Sequence, residues 1–441
     1  MSVSRSLCWR RMGLWLKSLR IKSQFVVCAT ILTAMPASAQ TQLDSLVATA
    51  IQNNPGIQMA RYESSAAESR ISPAGTLPDP RLTVMAENVP SNFKLNSDEM
   101  TMFPQFTIMQ MLPWFGKLNA AGEIQRYGYE ASSDKLSRTT LEVLSNLKKV
   151  YGEIYLEQRS IQYLEYKRTL LKSVVKAAEQ LFAVGQASQQ DVFRATAELT
   201  MVRSDVIGIN SMLESSYAQL GALLGKSTAC EIHVDTLSLT PISSLDSLEA
   251  QLDMKNPDLN QMRSVESASK ASAVFARKDA VPDVNVGFSY GYRGALMPDG
   301  TKALNMMNFE IGMSIPLFYG TRQQKVIDEA DFMSKAAESQ YSSVQVELMS
   351  KLRSAYADAQ AQSQLILLYT GELIPQYEAA YNSSLSAYSV GKTTFAMVID
   401  NLTTLINTKI ELVKIESAYF SASAEISELI GEGAENYRGW K

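Results

Sequence analysis

Between residues 117 and 183 apolar positions recur at a 4-3 spacing. Leu136, Thr140, Val143, Leu147, Val150, Ile154, Glu157, Ile161, Leu164, Arg168, Leu171, Val175, Ala178 and Phe182 form the row, and only two of the fourteen are charged. That spacing is the seam of a coiled coil. No proline interrupts Lys117 to Ala183, so the pattern predicts one helix of 67 residues, about 100 Å long at the α-helical rise. A second row, Leu144, Tyr151, Tyr155, Leu170, Val174 and Leu181, gives this helix neighbours on another side. The seam returns later as Leu348, Leu352, Ala355, Ala359, Ile366, Tyr369, Leu373, Ala380 and Ala387.

Four short segments switch to a period of two, which predicts strands. In 81–89, Leu82, Val84 and Ala86 oppose Arg81, Thr83, Met85 and Glu87. In 105–112, Phe106, Ile108 and Leu112 oppose Gln105, Thr107, Met109 and Met111. In 283–293, Val284, Val286, Phe288, Tyr290 and Tyr292 oppose Asp283, Asn285, Gly287, Ser289 and Arg293. In 309–315, Phe309, Ile311, Met313 and Ile315 oppose Glu310, Gly312 and Ser314.

A soluble sheet has the same alternation. Here, however, the rest of the chain offers no globular core to cover the apolar faces, and lipid covers them equally well. Single-chain membrane barrels need about eight strands or more, so four strands imply that several chains share one barrel. On that reading Met85, Met109, Met111, Glu87 and Glu310 face the lumen and Met313 faces lipid. The polar segments 90–104 and 294–308 suit an exposed rim.

The pattern occurs twice. Asn54-Pro55 recurs as Asn256-Pro257, Pro78-Asp79 as Pro282-Asp283, Gly116 as Gly320, Val184-Gly185 as Val390-Gly391, and Leu224-Gly225 as Ile430-Gly431. The offsets drift only from 202 to 206, so two copies of one unit are expected, 40–225 and 243–431. A linker at 226–242 joins them and a tail covers 432–441. Each copy reads helix, two strands, very long helix, helix. The two Val-Gly pairs stand where a long helix ends and its partner begins, because glycine takes the positive φ of a helix stop without penalty.

Charge and composition narrow the function. Residues 1–39 hold six Lys/Arg and no Asp or Glu, then an apolar run ending in Ala37-Ser38-Ala39, the form of a secretory signal cleaved before Gln40. Its removal leaves 35 of 41 basic residues against 45 acidic ones and moves the formal charge from −4 to −10. An acidic chain lacks the basic patch that nucleic acid requires. Only Cys230 survives processing, so no internal disulfide is expected, and Val26-Val27 before Cys28 does not suit a lipoprotein site. No remaining stretch approaches the ~20 apolar residues of a membrane helix. The single His233 lies in the linker without ligands at metal-binding spacing, and no nucleophile elbow, P-loop or dinucleotide fingerprint occurs. No enzyme and no cofactor are expected.

The repeated helix–strand–strand–helix–helix unit, LPDP before the first strand, PWFGK and PLFYGTR at the strand-to-helix transitions, and the segments VGQASQQDV and VGKTTFAMVID together resemble the TolC family of outer-membrane efflux proteins. The resemblance spans nearly all of the processed chain. It implies a mixed α/β membrane protein in which a homotrimer builds a twelve-stranded outer-membrane barrel continued by a periplasmic tunnel of coiled-coil helices. It also implies two partners, a periplasmic adaptor and an inner-membrane pump. In the family the helical tips form the closed entrance and meet the adaptor. Here those tips are Val184, Gly185, Gln186 and Ala187, and Val390, Gly391, Lys392 and Thr393.

The family pattern places an Asp seven residues after each Val and, in the second repeat, another three later. Asp191 and Asp400 match, whereas Met397 stands where an Asp would complete a double acidic ring. A ring of carboxylates in a narrow passage attracts cations. The alternatives are an adaptor, which has one helical hairpin in a β-rich body, and a structural coiled coil.

Nine of the 17 methionines remaining after processing lie within 81–113 and 283–318, where an even spread would place about three. Thioethers are soft ligands for Cu(I) and Ag(I), so export of copper or other heavy-metal ions stands beside export of drugs or of proteins. Methionine is also a flexible packing residue.

Overall fold

The computed structural model describes residues 36–436 apart from 92, 94, 96–99 and 186–187. The leader up to residue 35, tip residues Gln186 and Ala187, and tail residues 437–441 lie outside the described residues. The first half contains α1 (Pro36–Asn53), α2 (Pro55–Gly75), β1 (Arg81–Glu87), β2 (Met102–Leu112), α3 (Lys117–Ala183) and α4 (Gln189–Leu223). The second contains α5 (Leu245–Lys255), α6 (Pro257–Asp279), β3 (Val284–Gly291), β4 (Met306–Met313), α7 (Gln323–Leu368), a π-turn (Tyr369–Leu373), α8 (Ile374–Ser389) and α9 (Phe395–Leu429).

The helices form a layer four columns wide. α3 runs the full length, flanked on one side by α2 and α4 and on the other by α6 and α9. Beyond these lies the second full-length column, α7 with α8. The Asn-Pro landmarks join the short helices end to end. The Asn54 side-chain oxygen accepts from Gly56 N–H at 2.8 Å and caps α2, while its amide donates to the Leu223 carbonyl at the end of α4, 2.9 Å away. Asn256 repeats this, accepting from Leu259 N–H at 2.9 Å and donating to the Leu429 carbonyl at 2.7 Å. Gly225 and Gly431 follow those helix ends at φ +71° and +69°. A Cβ there would collide with the Asn53 and Lys255 carbonyl oxygens respectively.

The seam of α3 is buried at Leu136, Leu147, Val150, Ile154, Leu164, Leu171 and Ala178. Two positions expected on it, Arg168 and Phe182, are exposed, and Val174 and Lys167 are buried instead. In the second long column the expected seam holds through Ala359. Beyond it Tyr381, Ser384 and Tyr388 are buried rather than Ala380 and Ala387. The π-turn explains the shift. It inserts one extra residue per turn just before Pro375, whose ring would otherwise clash with the helix, and every later position moves by one. The linker is strapped down rather than free: Val234 is buried, its N–H donates to the Gln158 side chain at 2.9 Å, and Gln158 donates to the Ile232 carbonyl at 2.7 Å.

The four strands form one antiparallel sheet in the order β1-β2-β3-β4, leaving β1 and β4 as edges. β2 starts three residues before the expected 105, and β4 is displaced from 309–315 to Met306–Met313, because Met306 to Asn308 pair with Gly291 to Ser289. β1 and β3 are each two residues shorter at their C-terminal ends than the alternation suggests. Among the described residues no helix is long and apolar enough to cross a membrane.

Candidate functional site

Two regions carry the candidate residues, the sheet wall and the helical tips. In the sheet, Met109 stands beside Arg81 on one side and Gly287 on the other, with Glu310 next in the row. Met111 aligns with Asn285 and Gly312, and Met85 with Gln105 and Gly291. A bulge between Met85 and Glu87 puts Glu87 opposite Met102. Since Cβ atoms alternate along a strand, Met85, Glu87, Met109, Met111 and Glu310 share one face with Thr107, Ser289 and Asn308. Leu82, Val84, Phe106, Ile108, Val286, Phe288, Phe309, Ile311 and Met313 share the other.

Unlike in a soluble sheet, the apolar face is the uncovered one. Phe309 and Ile311 are 82% and 80% exposed, and Leu82, Val84 and Ile108 are exposed with them. Gln105, Gly287, Ser289 and Gly291 on the polar face are buried. A contiguous exposed apolar surface of this kind requires another apolar phase or partner.

Where the strands meet the helices, landmark residues of both halves converge. Lys117, closing PWFGK, pairs with Asp279 at 2.6 Å and with Asp283 of Pro282-Asp283 at 2.7 Å. Asp283 also accepts from Trp114 N–H at 3.0 Å.

At the far end, α3 stops with Gly185 at φ +72° and α8 with Gly391 at φ +70°. Val184, Val390, Lys392 and Gly391 are exposed, and Thr393 is half-buried. Asp191 is the third residue of α4 and completes a capping box: its N–H donates to Ser188 Oγ at 3.3 Å, and its carboxylate accepts from Ser188 N–H at 3.4 Å. Met397 holds the same position in α9, where Thr394 caps its N–H at 3.4 Å. The departure from Asp therefore removes half of a capping box.

Asp400 pairs with Arg194 at 3.5 Å, both exposed. Arg194 went unnoticed in the sequence although it precedes Asp400 by the 206-residue offset of the tips. Asp191 and Asp400 thus have different local partners.

A second feature was visible only as a charge on the seam. Glu157 Oε1 accepts from Ser216 Oγ at 3.0 Å, while its Oε2 is buried without a hydrogen-bond partner among the described residues. Desolvation, opposed by the Ser216 hydrogen bond and reinforced by Glu153, pushes this carboxyl up to about 7. Nearby, burial also raises Glu416, which accepts from Tyr155 Oη at 2.8 Å. Exposed His233 pairs with Asp235 at 3.1 Å. Among the described residues no three His, Cys, Asp or Glu side chains group to hold a metal ion.

The outer membrane efflux protein family matches residues 46–226 and 250–432, one match per half. The chain is 22% identical over 400 residues to outer membrane protein TolC of Salmonella enteritidis, covering 86% of this chain and 79% of that one. Its fold is similar to the outer-membrane channel OprN, with a TM-score of 0.75, 18% identity and coverage of 89% and 90%. It is also similar to the outer membrane protein VceC of Vibrio cholerae, with a TM-score of 0.74, 19% identity and coverage of 89% and 96%. With its exposed apolar sheet and doubled helical unit, the chain belongs to the outer membrane efflux protein family and is an outer-membrane channel of the TolC type.

Proposed function

We propose that three copies assemble side by side, pairing β4 of one with β1 of the next, to give a twelve-stranded barrel and a helical tunnel through which cargo leaves passively. The observation that carries this reading is the sheet, whose apolar face is exposed, whose polar face is buried only along the central strands, and whose two edge strands are unpaired among the described residues. The helical edges support it as well, because Phe332, Met333, Val346 and Leu367 on α7 and Met201, Ile207 and Met212 on α4 are exposed. Closing the ring covers these rows and leaves no strand edge in lipid. The exposed tip residues Val184, Gly185, Val390, Gly391 and Lys392, with Thr393 beside them, would meet the periplasmic adaptor that links the duct to an inner-membrane pump. Asp400, with Asp191 and Met397 near it, would line the entrance.

Purified protein in planar bilayers tests the assembly. Ohmic K+ conductance and a heat-modifiable oligomer on electrophoresis are expected, and a non-conducting monomer would overturn it. For the cargo, the concentration of methionine in and around the strands favours soft metal ions. A deletion strain should become sensitive to copper and silver and recover on complementation. Sensitivity confined to lipophilic drugs would replace that cargo with general efflux.

A further inference from the structure

At the end of the sheet away from the helices, the register gathers thioethers around one glycine. Gly291 of β3 is flanked by Gln105 of β2 and Met306 of β4, and Gln105 is in turn flanked by Met85 of β1. Met102, brought onto the same face by the bulge opposite Glu87, lies over Gly291: a Cβ added there would sit 2.7 Å from the Met102 sulfur. The glycine therefore leaves the space that the sulfur occupies.

Cross-strand neighbours on one face have Cβ atoms about 5 Å apart. Met306 is the direct neighbour of Gly291, so its long unbranched side chain can reach the Met102 sulfur, whereas Met85 stands three strands from Met306, about 14 Å away, and cannot share one ion with it. Beside Gly291 stands Gln105, only 5% exposed, and its Oε1 is buried without a hydrogen-bond partner among the described residues. A buried amide oxygen is costly to leave unpaired, and a cation bound there would satisfy it.

We infer that Met102 and Met306, with the Gln105 oxygen, form a transit site for a soft monovalent cation, Cu(I) or Ag(I), on the channel wall near the rim. Two thioethers suit a soft acceptor and disfavour Zn(II) or Mg(II), which prefer harder or thiolate donors. The Glu87 carboxylate adds negative charge beside Met102. This inference rests on the soft-metal reading of the cargo and names the residues that would handle it.

The test uses the full-length oligomer in detergent, dialysed against silver nitrate in chloride-free buffer, with bound metal read by mass spectrometry. About one silver ion per chain is expected, with no comparable uptake of Zn(II). Met102→Leu and Met306→Leu should each weaken binding by about tenfold or more, whereas Met109→Leu and Met111→Leu, further down the same wall, should bind like the parent. Gly291→Ala should mimic Met102→Leu by displacing its sulfur. No silver binding by the parent, or unchanged binding in the Met102 and Met306 variants, overturns the site. K+ conductance of the same preparations, expected to be unchanged, reports on the channel separately. Loss of the site is thereby distinguished from failure of the duct reading.

Discussion

The two helical tips share a backbone and differ in how they are held. Each ends a long helix with glycine at φ near +70° and restarts from a hydroxyl N-cap, Ser188 or Thr394. In the second tip Phe395 is 1% exposed and packs edge-on against Tyr388 at 5.8 Å, with Val398 and Ile399 buried behind it. The positions 206 residues earlier are Gln189 and Phe182, and Phe182 is exposed. Phe193, the counterpart of Ile399, is 65% exposed. Turn chemistry is thus duplicated, while the apolar anchor is not. The first hairpin also carries the Glu157 carboxyl in its seam, one oxygen of which has no partner among the described residues, whereas the uncharged Gln362 stands at the matching place in the second. Of the two, the second tip is the fixed one, and the first presents its aromatic residues outward.

The largest effect should come from removing the anchor. Phe395→Ala is expected to destabilise by about 3–5 kcal/mol, the usual range for a buried aromatic, while Phe193→Ala should change stability by less than about 0.5 kcal/mol. Chemical denaturation of both variants checks this, and equal losses would abolish the distinction between the tips.

Next, Gly185→Ala and Gly391→Ala should each cost about 1–2 kcal/mol, because alanine is strained at positive φ and nothing among the described residues lies within reach of its Cβ. A much larger cost at either site would mean that the turns are not equivalent.

A third test uses pH. The folded Glu157 carboxyl titrates near 7, against a reference value of 4.5. A raised value means that its protonated form is favoured in the fold. Its contribution is therefore fully present below pH 4.5 and is lost as pH rises through 7. Melting temperature should fall over that window in the parent, and Glu157→Gln should flatten the fall. An unchanged slope would show that Glu157 is solvated in the assembled protein.

The exposed Arg194–Asp400 pair should contribute little to stability. Asp400→Asn should alter stability by no more than about 1 kcal/mol. In bilayers the same change should lower the preference for K+ over Cl−. Unaltered selectivity would remove Asp400 from the entrance.

The long helices were legible because their signal is dense: α3 spans the proline-free run from Lys117 to Ala183. The strand faces were legible too, since a period of two is read without knowing the partner strand. The site was legible only in pieces. Asp400 was visible, but Arg194 was not tied to it, because an ion pair between helices depends on which faces meet. Asp191 looked like an entrance carboxylate, yet the Ser188–Asp191 spacing is also that of a capping box. Met102 fell outside the expected strand, since the bulge that returns it to the methionine face breaks the alternation.

Local sterics and periodicity are properties of neighbouring residues, so the chain by itself determined the helices, the strand faces and the glycine stops. Pairing joins residues far apart in sequence, so only the tertiary structure decided several features. These are the end-to-end stacking through Asn54 and Asn256, the one-residue slip after the π-turn, the face of the sheet that is exposed, and the gathering of Met102, Met306 and Gln105 around Gly291. Each depends on contacts whose free energy exists only once distant segments have met.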